Sequence, residues 1–265
     1  MKWLLLDAGN SAVKWALAGP EGPDPSARGS VAVEAGLARN LAAALGPTLA
    51  SLPSGAASAL HAIGCSVVSD ATTETITKAV APLTAARPLW LQAEARFEFA
   101  AVTLVNSYRE PGQLGPDRWY AMIAARQSFP GRPLVVACAG TALTVDSVDA
   151  DGRFLGGVIA PGRALMADSL ARGTARLPAS AGQVVEMPDN TFDAIATGVA
   201  DAIAGLIERR ARALARLRAL PQLVLAGGGA QDLASRLRVS DAVAGIAVEE
   251  HLVLRGLWLR AESIR

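Results

Sequence analysis

The sequence predicts an α/β protein built of two lobes with similar topology, and three observations carry that prediction. Short apolar runs end in glycine turns three times, at Asp7-Ala8-Gly9, at Cys138-Ala139-Gly140 and at Ala226-Gly227-Gly228-Gly229. The first two superpose when Gly9 is laid on Gly140, which pairs Leu5–Ser11 with Val136–Ala142, each a strand, a turn of small residues and a further strand. The 131 residues between the two glycines are about half of the 265-residue chain, so a duplicated lobe whose turns face each other across a cleft accounts for both. Segments of helical period alternate with these strands, as an α/β chain requires.

Taken in order, Trp3–Asp7 is a buried strand, Gly9–Ser11 a turn, and Ala12–Ala18 an alternating strand closed by the Gly19–Pro23 cluster. Residues 31–51 are Ala/Leu-rich with helical spacing, and Ala62–Val68 reads as another strand. Asp70 and Glu74 suit the start of a helix that runs to Ala81 and stops at Pro82. A strand around Trp90 precedes a turn-rich loop, Tyr108–Arg118, which feeds a helix over Trp119–Arg126 with Pro116 or Asp117 in its first turn. Leu134–Cys138 and Leu143–Val148 are strands on either side of the Gly140 turn, closed by Asp149–Gly152. A long helix spans Thr191–Leu220, then a strand from Leu223 enters the triple-glycine loop, and a helix starts at Gln231. The division between lobes is placed between residues 117 and 118, giving lobes of 1–117 and 118–265.

Composition narrows the function. With 51% hydrophobic and 18% charged residues the chain has apolar surface enough for a core. A net charge of +1, from 25 basic and 24 acidic residues, provides no general attraction to nucleic acid or to an anionic membrane. The two cysteines, Cys65 and Cys138, have no CxxC spacing, and His61 and His251 are the only histidines, so a disulfide framework, a zinc ribbon and a histidine-rich metal site are excluded. These facts favour a cytoplasmic protein. Asp7 interrupts the N-terminal apolar run too early for a secretion signal. The stretch 40–69 holds no Asp, Glu, Lys or Arg, but Gly46, Pro47, Pro53 and Gly55 break it, so it reads as helices and turns and not as a membrane span.

Glycine turns at strand ends let backbone N–H groups approach phosphate oxygens. Asp7-x-Gly9-Asn10-Ser11-x-x-Lys14 adds a carboxylate able to hold a hydrated magnesium ion, polar donors and a cation; the same residues also fit a plain hairpin with a solvated Lys14. Neither a P-loop nor a GxGxxG fingerprint is present, so a nucleotide binds in another way. Asp117, at a helix start where the dipole keeps it ionised, can accept a hydroxyl proton, and Arg118 can pin an anionic group; a simple Asp cap beside a surface Arg is the alternative. Asp146 can approach a metal-bound phosphate or can merely begin the polar turn that follows. Arg209, Arg210, Arg212, Arg216 and Arg218 read as the solvated face of a helix, with dimer contacts as the sharper alternative.

Five segments in this order resemble the type III pantothenate kinases, of the superfamily of acetate kinase, sugar kinases, chaperone ATPases and actin. They are Asp7–Lys14, Gly115-Pro116-Asp117-Arg118, Gly140–Asp146, Gly156–Gly162 and Asn190–Gly198. The resemblance implies two ribonuclease-H-like (actin-like) lobes with ATP between them, and transfer of the γ-phosphoryl group to the primary hydroxyl of pantothenate, the first step of coenzyme A biosynthesis. Carried over by position, it implies that Asp7, Ala8, Gly9, Asn10, Ser11, Ala12, Val13, Lys14 and Thr141 contact ATP phosphates and magnesium. Asp7 and Asp146 are then the candidate magnesium ligands, and Asp117 is the general base. Tyr108, Gly115, Pro116, Asp117, Arg118 and Thr191 become the pantothenate contacts, and a homodimer is expected. One departure matters: where many relatives carry an aspartate associated with a monovalent cation, potassium or ammonium, this chain has Cys138, a poor ligand for it. That substitution keeps two alternatives open, an accessory or regulatory homologue and a sister small-molecule kinase with another acceptor.

Overall fold

Trp3 to Ala8 are all buried, which suits a central strand paired on both sides, and that is where the chain begins. The computed structural model describes residues 2–51, 60–175, 177–178, 182–217, 219–237 and 241–265. β1 (Lys2–Ala8) runs antiparallel to β2 (Ala12–Gly19), and β2 antiparallel to β3 (Gly22–Ala32). After α1 (Leu37–Ala50) the chain enters β4 (Leu60–Ser66), parallel to β1. After α2 (Asp70–Val80) it forms β5 (Leu89–Leu91), parallel to β4. The sheet order is β3-β2-β1-β4-β5. A hairpin of β6 (Arg96–Phe99) and β7 (Val102–Val105) then leads through a loop to α3 (Pro116–Ser128).

The plan repeats. β8 (Leu134–Ala139), β9 (Ala142–Val148) and β10 (Phe154–Pro161) form an antiparallel meander. Next come α4 (Arg163–Gly173) and α5 (Thr191–Leu217), followed by β11 (Gln222–Ala226), α6 (Ala230–Arg236) and β12 (Gly245–Val248). β11 is parallel to both β8 and β12, so the order β10-β9-β8-β11-β12 matches the first sheet strand for strand. The expected pair of ribonuclease-H-like lobes is therefore present. Gly9 and Gly140 occupy equivalent turns, each donating its N–H to an alanine carbonyl at 3.1 Å, Ala12 in one and Ala142 in the other. α7 (Leu252–Ser263) closes the chain.

Two compact units result: Met1–Gln127 with His251–Arg265, and Ser128–Glu250. The expected division at 117/118 would cut the first turn of α3. The chain divides after Gln127 because α3 and α7 pack together so closely that a Cβ on Gly256 would strike the carbonyl of Tyr120. In the first unit, Leu4, Leu6, Val13 and Trp15 form one face of the sheet and pack with Leu37, Leu41 and Leu45 of α1 and Ile76 and Val80 of α2. In the second, Val135, Ala137, Leu143 and Val145 meet Ile195, Val199, Ile203 and Ile207, a four-residue stripe along α5.

Three expectations shift. The helix expected from residue 31 starts at Leu37, because Val31 and Ala32 finish β3 and Gly36, at φ +87°, turns the chain first. The cap of α2 is Ser69, whose hydroxyl accepts the Thr72 N–H, with Asp70 one place inside. α5 is described to Leu217; Arg218 and residues 52–59 lie outside the described residues. No helix among the described residues is long and apolar enough to cross a membrane.

Candidate active site

Asp7 lies near the end of β1, directly opposite Lys14 on β2 and level with Cys65 on β4. Side chains at one level of a sheet share a face, so carboxylate, ammonium and thiol point the same way. Asp7 is only 8% exposed. Burial pushes its carboxyl up to about 6; Lys14 opposes the rise, and the nearby Asp117 adds to it. The thiol of Cys65, buried beside the same two carboxylates, is raised as well. Beyond Asp7 the Gly9 turn carries Asn10 and Ser11 on its exposed rim, whereas Ala8 and Val13 turn their side chains into the core. Any phosphate contact from Ala8 or Val13 is thereby confined to the backbone.

Asp117 reaches this region from α3. Pro116 opens the helix with its fixed φ and missing N–H, and the carbonyl of Gly115 accepts the Trp119 N–H at 3.1 Å. A Cβ on Gly115 would stand 2.6 Å from Oδ1 of Asp117, so glycine is what leaves room for that carboxylate. Oδ1 accepts the backbone N–H of Arg118 at 2.8 Å. Burial raises the Asp117 carboxyl above the usual carboxylate range, and the Arg118 N–H and guanidinium offset this only in part. Arg118 is itself buried, 4% exposed. Its Nη1 donates to the hydroxyl of Tyr108 at 3.4 Å, and its guanidinium stands 6.0 Å from the centre of the Tyr108 ring.

One residue of this loop escaped the sequence reading. Asn106 accepts the Tyr108 N–H on Oδ1 at 3.1 Å, and its Nδ2 donates to the carbonyls of Glu94 and Pro111, each at 3.2 Å. An asparagine bonding the N–H two residues on is an Asx turn, a signal the Asn106-Ser107-Tyr108 string does carry. Cys65 was passed over for a different reason: only strand register reveals that it flanks Asp7.

The remaining candidates belong to the second unit. Thr141 is exposed in the Gly140 turn, and that turn is braced by backbone. The Gly162 N–H donates to the Thr141 carbonyl at 2.9 Å, a Cβ on Gly162 would strike the Gly140 carbonyl, and one on Gly227, at φ +92°, would strike that of Ala139. Asp146 lies far from this turn, roughly 16 Å along the strand from Thr141. It is 1% exposed and opposite Val136 and Gly157. Cys138 is half-buried opposite Thr144, the same place in this sheet that Asp7 opposite Lys14 takes in the first. Thr191 is the exposed first residue of α5, next to Asn190, whose Oδ1 accepts the Asp193 N–H at 3.0 Å. Among the described residues no group of three or more His, Cys, Asp or Glu could hold a metal ion.

Comparison with known proteins bears on this arrangement. A family model described as type III pantothenate kinase matches residues 3–213. A type III pantothenate kinase of Chromobacterium violaceum is 41% identical over 259 residues, covering 96% of this chain and 97% of its own. One from Methylibium petroleiphilum is 39% identical over 236 residues, covering 87% and 88%. Among solved structures, a protein described as a 2-dehydro-3-deoxygalactonokinase from Sinorhizobium meliloti superposes with a TM-score of 0.62 at 16% identity, covering 99% of each chain. A protein described as a Baf family transcriptional activator from Campylobacter jejuni gives 0.57 at 22%, covering 98% of each. At those identities the two structures speak for the fold alone.

Proposed function

The chain belongs to the type III pantothenate kinase family, and from that premise we propose that it transfers the γ-phosphoryl group of ATP to the primary hydroxyl of pantothenate, yielding 4′-phosphopantothenate for coenzyme A biosynthesis. The observation that carries the reading is the Asp117–Arg118 pair: a carboxylate raised by burial, adjacent to a buried arginine held by Tyr108. A base whose pKa is brought closer to neutrality takes a hydroxyl proton more effectively than an ordinary carboxylate. Arg118 receives the acceptor's own carboxylate through charge-assisted hydrogen bonds. Gly115 leaves room for the Asp117 carboxylate, Pro116 opens the helix that carries it, and the Tyr108 hydroxyl accepts a hydrogen bond from Arg118. Phosphoryl transfer asks little more of a protein than positioning and charge.

For the nucleotide, the Gly9–Ser11 turn and Lys14 supply donors and a cation, with Ala12 as a further proposed contact; Thr141 and Thr191 are proposed, from the family resemblance, as a phosphate contact and an acceptor contact. Asp7 fits magnesium: it is a single, poorly compensated carboxylate, and this ion keeps most of its waters and binds through one or two carboxylates together with phosphates. When bound, the ion neutralises charge on the transferring phosphate. Cys138 does not fit a potassium or ammonium ion, which prefers oxygen ligands, and no step is assigned to one. A cytoplasmic homodimer completes the proposal.

The acceptor assignment is tested by comparing pantothenate with its alcohol analogue, which keeps the primary hydroxyl and lacks the carboxylate. Arg118 as the carboxylate's partner predicts that the alcohol loses on the order of 10²-fold in kcat/KM. Equal use of the two would show that Arg118 has another task.

A further inference from the structure

We propose that Asn106 is a positioning residue of the acceptor site, acting through Tyr108 on Arg118, and that Glu94 is the anchor from which it acts. This rests on the reading of Arg118 as the acceptor's partner. The carboxamide of Asn106 makes three hydrogen bonds, and each fastens a different point. Oδ1 takes the Tyr108 N–H, Nδ2 reaches the carbonyl of Pro111 across the loop, and the same Nδ2 reaches the carbonyl of Glu94. The backbone N–H of Asn106 adds a fourth tie, to Ala95, at 3.0 Å. Asn106 is 8% exposed, so water replaces none of these bonds cheaply.

The anchor is in turn fixed to the helix that bears Asp117. Glu94 Oε1 accepts the Nε–H of Arg260 on α7 at 2.7 Å, and the single hydroxyl proton of Tyr120 on α3 is shared between the Gln92 carbonyl at 3.1 Å and Glu94 Oε1 at 3.4 Å. The Asx turn that places Tyr108 is thus referenced, through two residues, to the second turn of the helix whose first turn holds Asp117 and Arg118. A loop hinged only at its ends would let Tyr108 drift, and the guanidinium with it; small misplacements of positioning groups cost rate out of proportion to their size.

The test is steady-state kinetics of Asn106→Ala. The KM for pantothenate rises about tenfold, while kcat and the KM for ATP stay within about threefold, the pattern of lost acceptor positioning. A merely structural role would lower the melting temperature and leave the KM of the folded enzyme unchanged, which would overturn the proposal. A double-mutant cycle supplies the route: Asn106→Ala combined with Tyr108→Phe shows a KM within about twofold of the worse single variant, and multiplication of the two effects would show that Asn106 does not act through Tyr108. Hydrogen exchange at the Tyr108 amide is read on the same proteins without substrate. It speeds up at least about tenfold in Asn106→Ala, and unchanged exchange would overturn the proposal. If the wild type fails to phosphorylate pantothenate, the functional reading falls, and the exchange result still decides whether Asn106 positions the loop.

Discussion

Asp117 and Asp7 are both raised by burial, and the two rises do different things. For Asp117 the rise tunes a base. Asp117→Asn keeps the size and the Arg118 N–H contact but removes the proton acceptor, so kcat falls by about 10²–10⁴ with an unchanged circular dichroism spectrum. In the wild type, kcat/KM drops on the acid side with an inflection above the usual carboxylate range. For Asp7 the rise is a cost to the fold. Its carboxyl goes from an ordinary 3.8 to about 6, so between those values the folded chain holds a proton that the unfolded chain has released. The contribution is complete below about pH 4 and is lost as pH climbs through 6, a difference on the order of 3 kcal/mol. Thermal melts of Asp7→Asn show a gain over wild type at pH 8 and none near pH 4, together with lost kinase activity.

Elements differ in how openly the sequence announces them. β1, β4, β8 and β11 each carry a short apolar run, and α2, α3 and α5 have start signals or a regular stripe, so all were legible. β3 was not: its Gly22-Pro23-Asp24-Pro25-Ser26 start shows no alternation, and it exists because an edge strand tolerates proline. β10 and β12 are likewise edges with half-exposed patterns, and α7 begins at His251 in a left-handed conformation without a capping side chain. The role of α7 is also invisible in sequence, because it comes from contact with α3 135 or so residues earlier in the chain. Gly256→Ala tests that contact. Its methyl group would push α7 from the Tyr120 carbonyl, lowering stability by about 1–3 kcal/mol in denaturant titration.

Across the whole molecule, one topology occurs twice with different chemistry at matched places. Asp7 opposite Lys14 in the first sheet corresponds to Cys138 opposite Thr144 in the second. The Gly9/Gly140 pairing made that duplication legible, and the Gly-Pro-Asp-Arg string pointed to the acceptor side; the burial that raises both carboxylates, and the Asn106 clamp, required the folded chain. The thiol at the second place predicts turnover that differs by less than about twofold between sodium and potassium buffers, and a potassium response that appears in Cys138→Asp. The central claim is tested most directly by incubating the purified protein with magnesium, ATP and pantothenate and following the acceptor by mass spectrometry. The account predicts 4′-phosphopantothenate formed in step with ADP and abolished in Asp117→Asn; ADP released without a phosphorylated acceptor, or product formed equally by that variant, would contradict it.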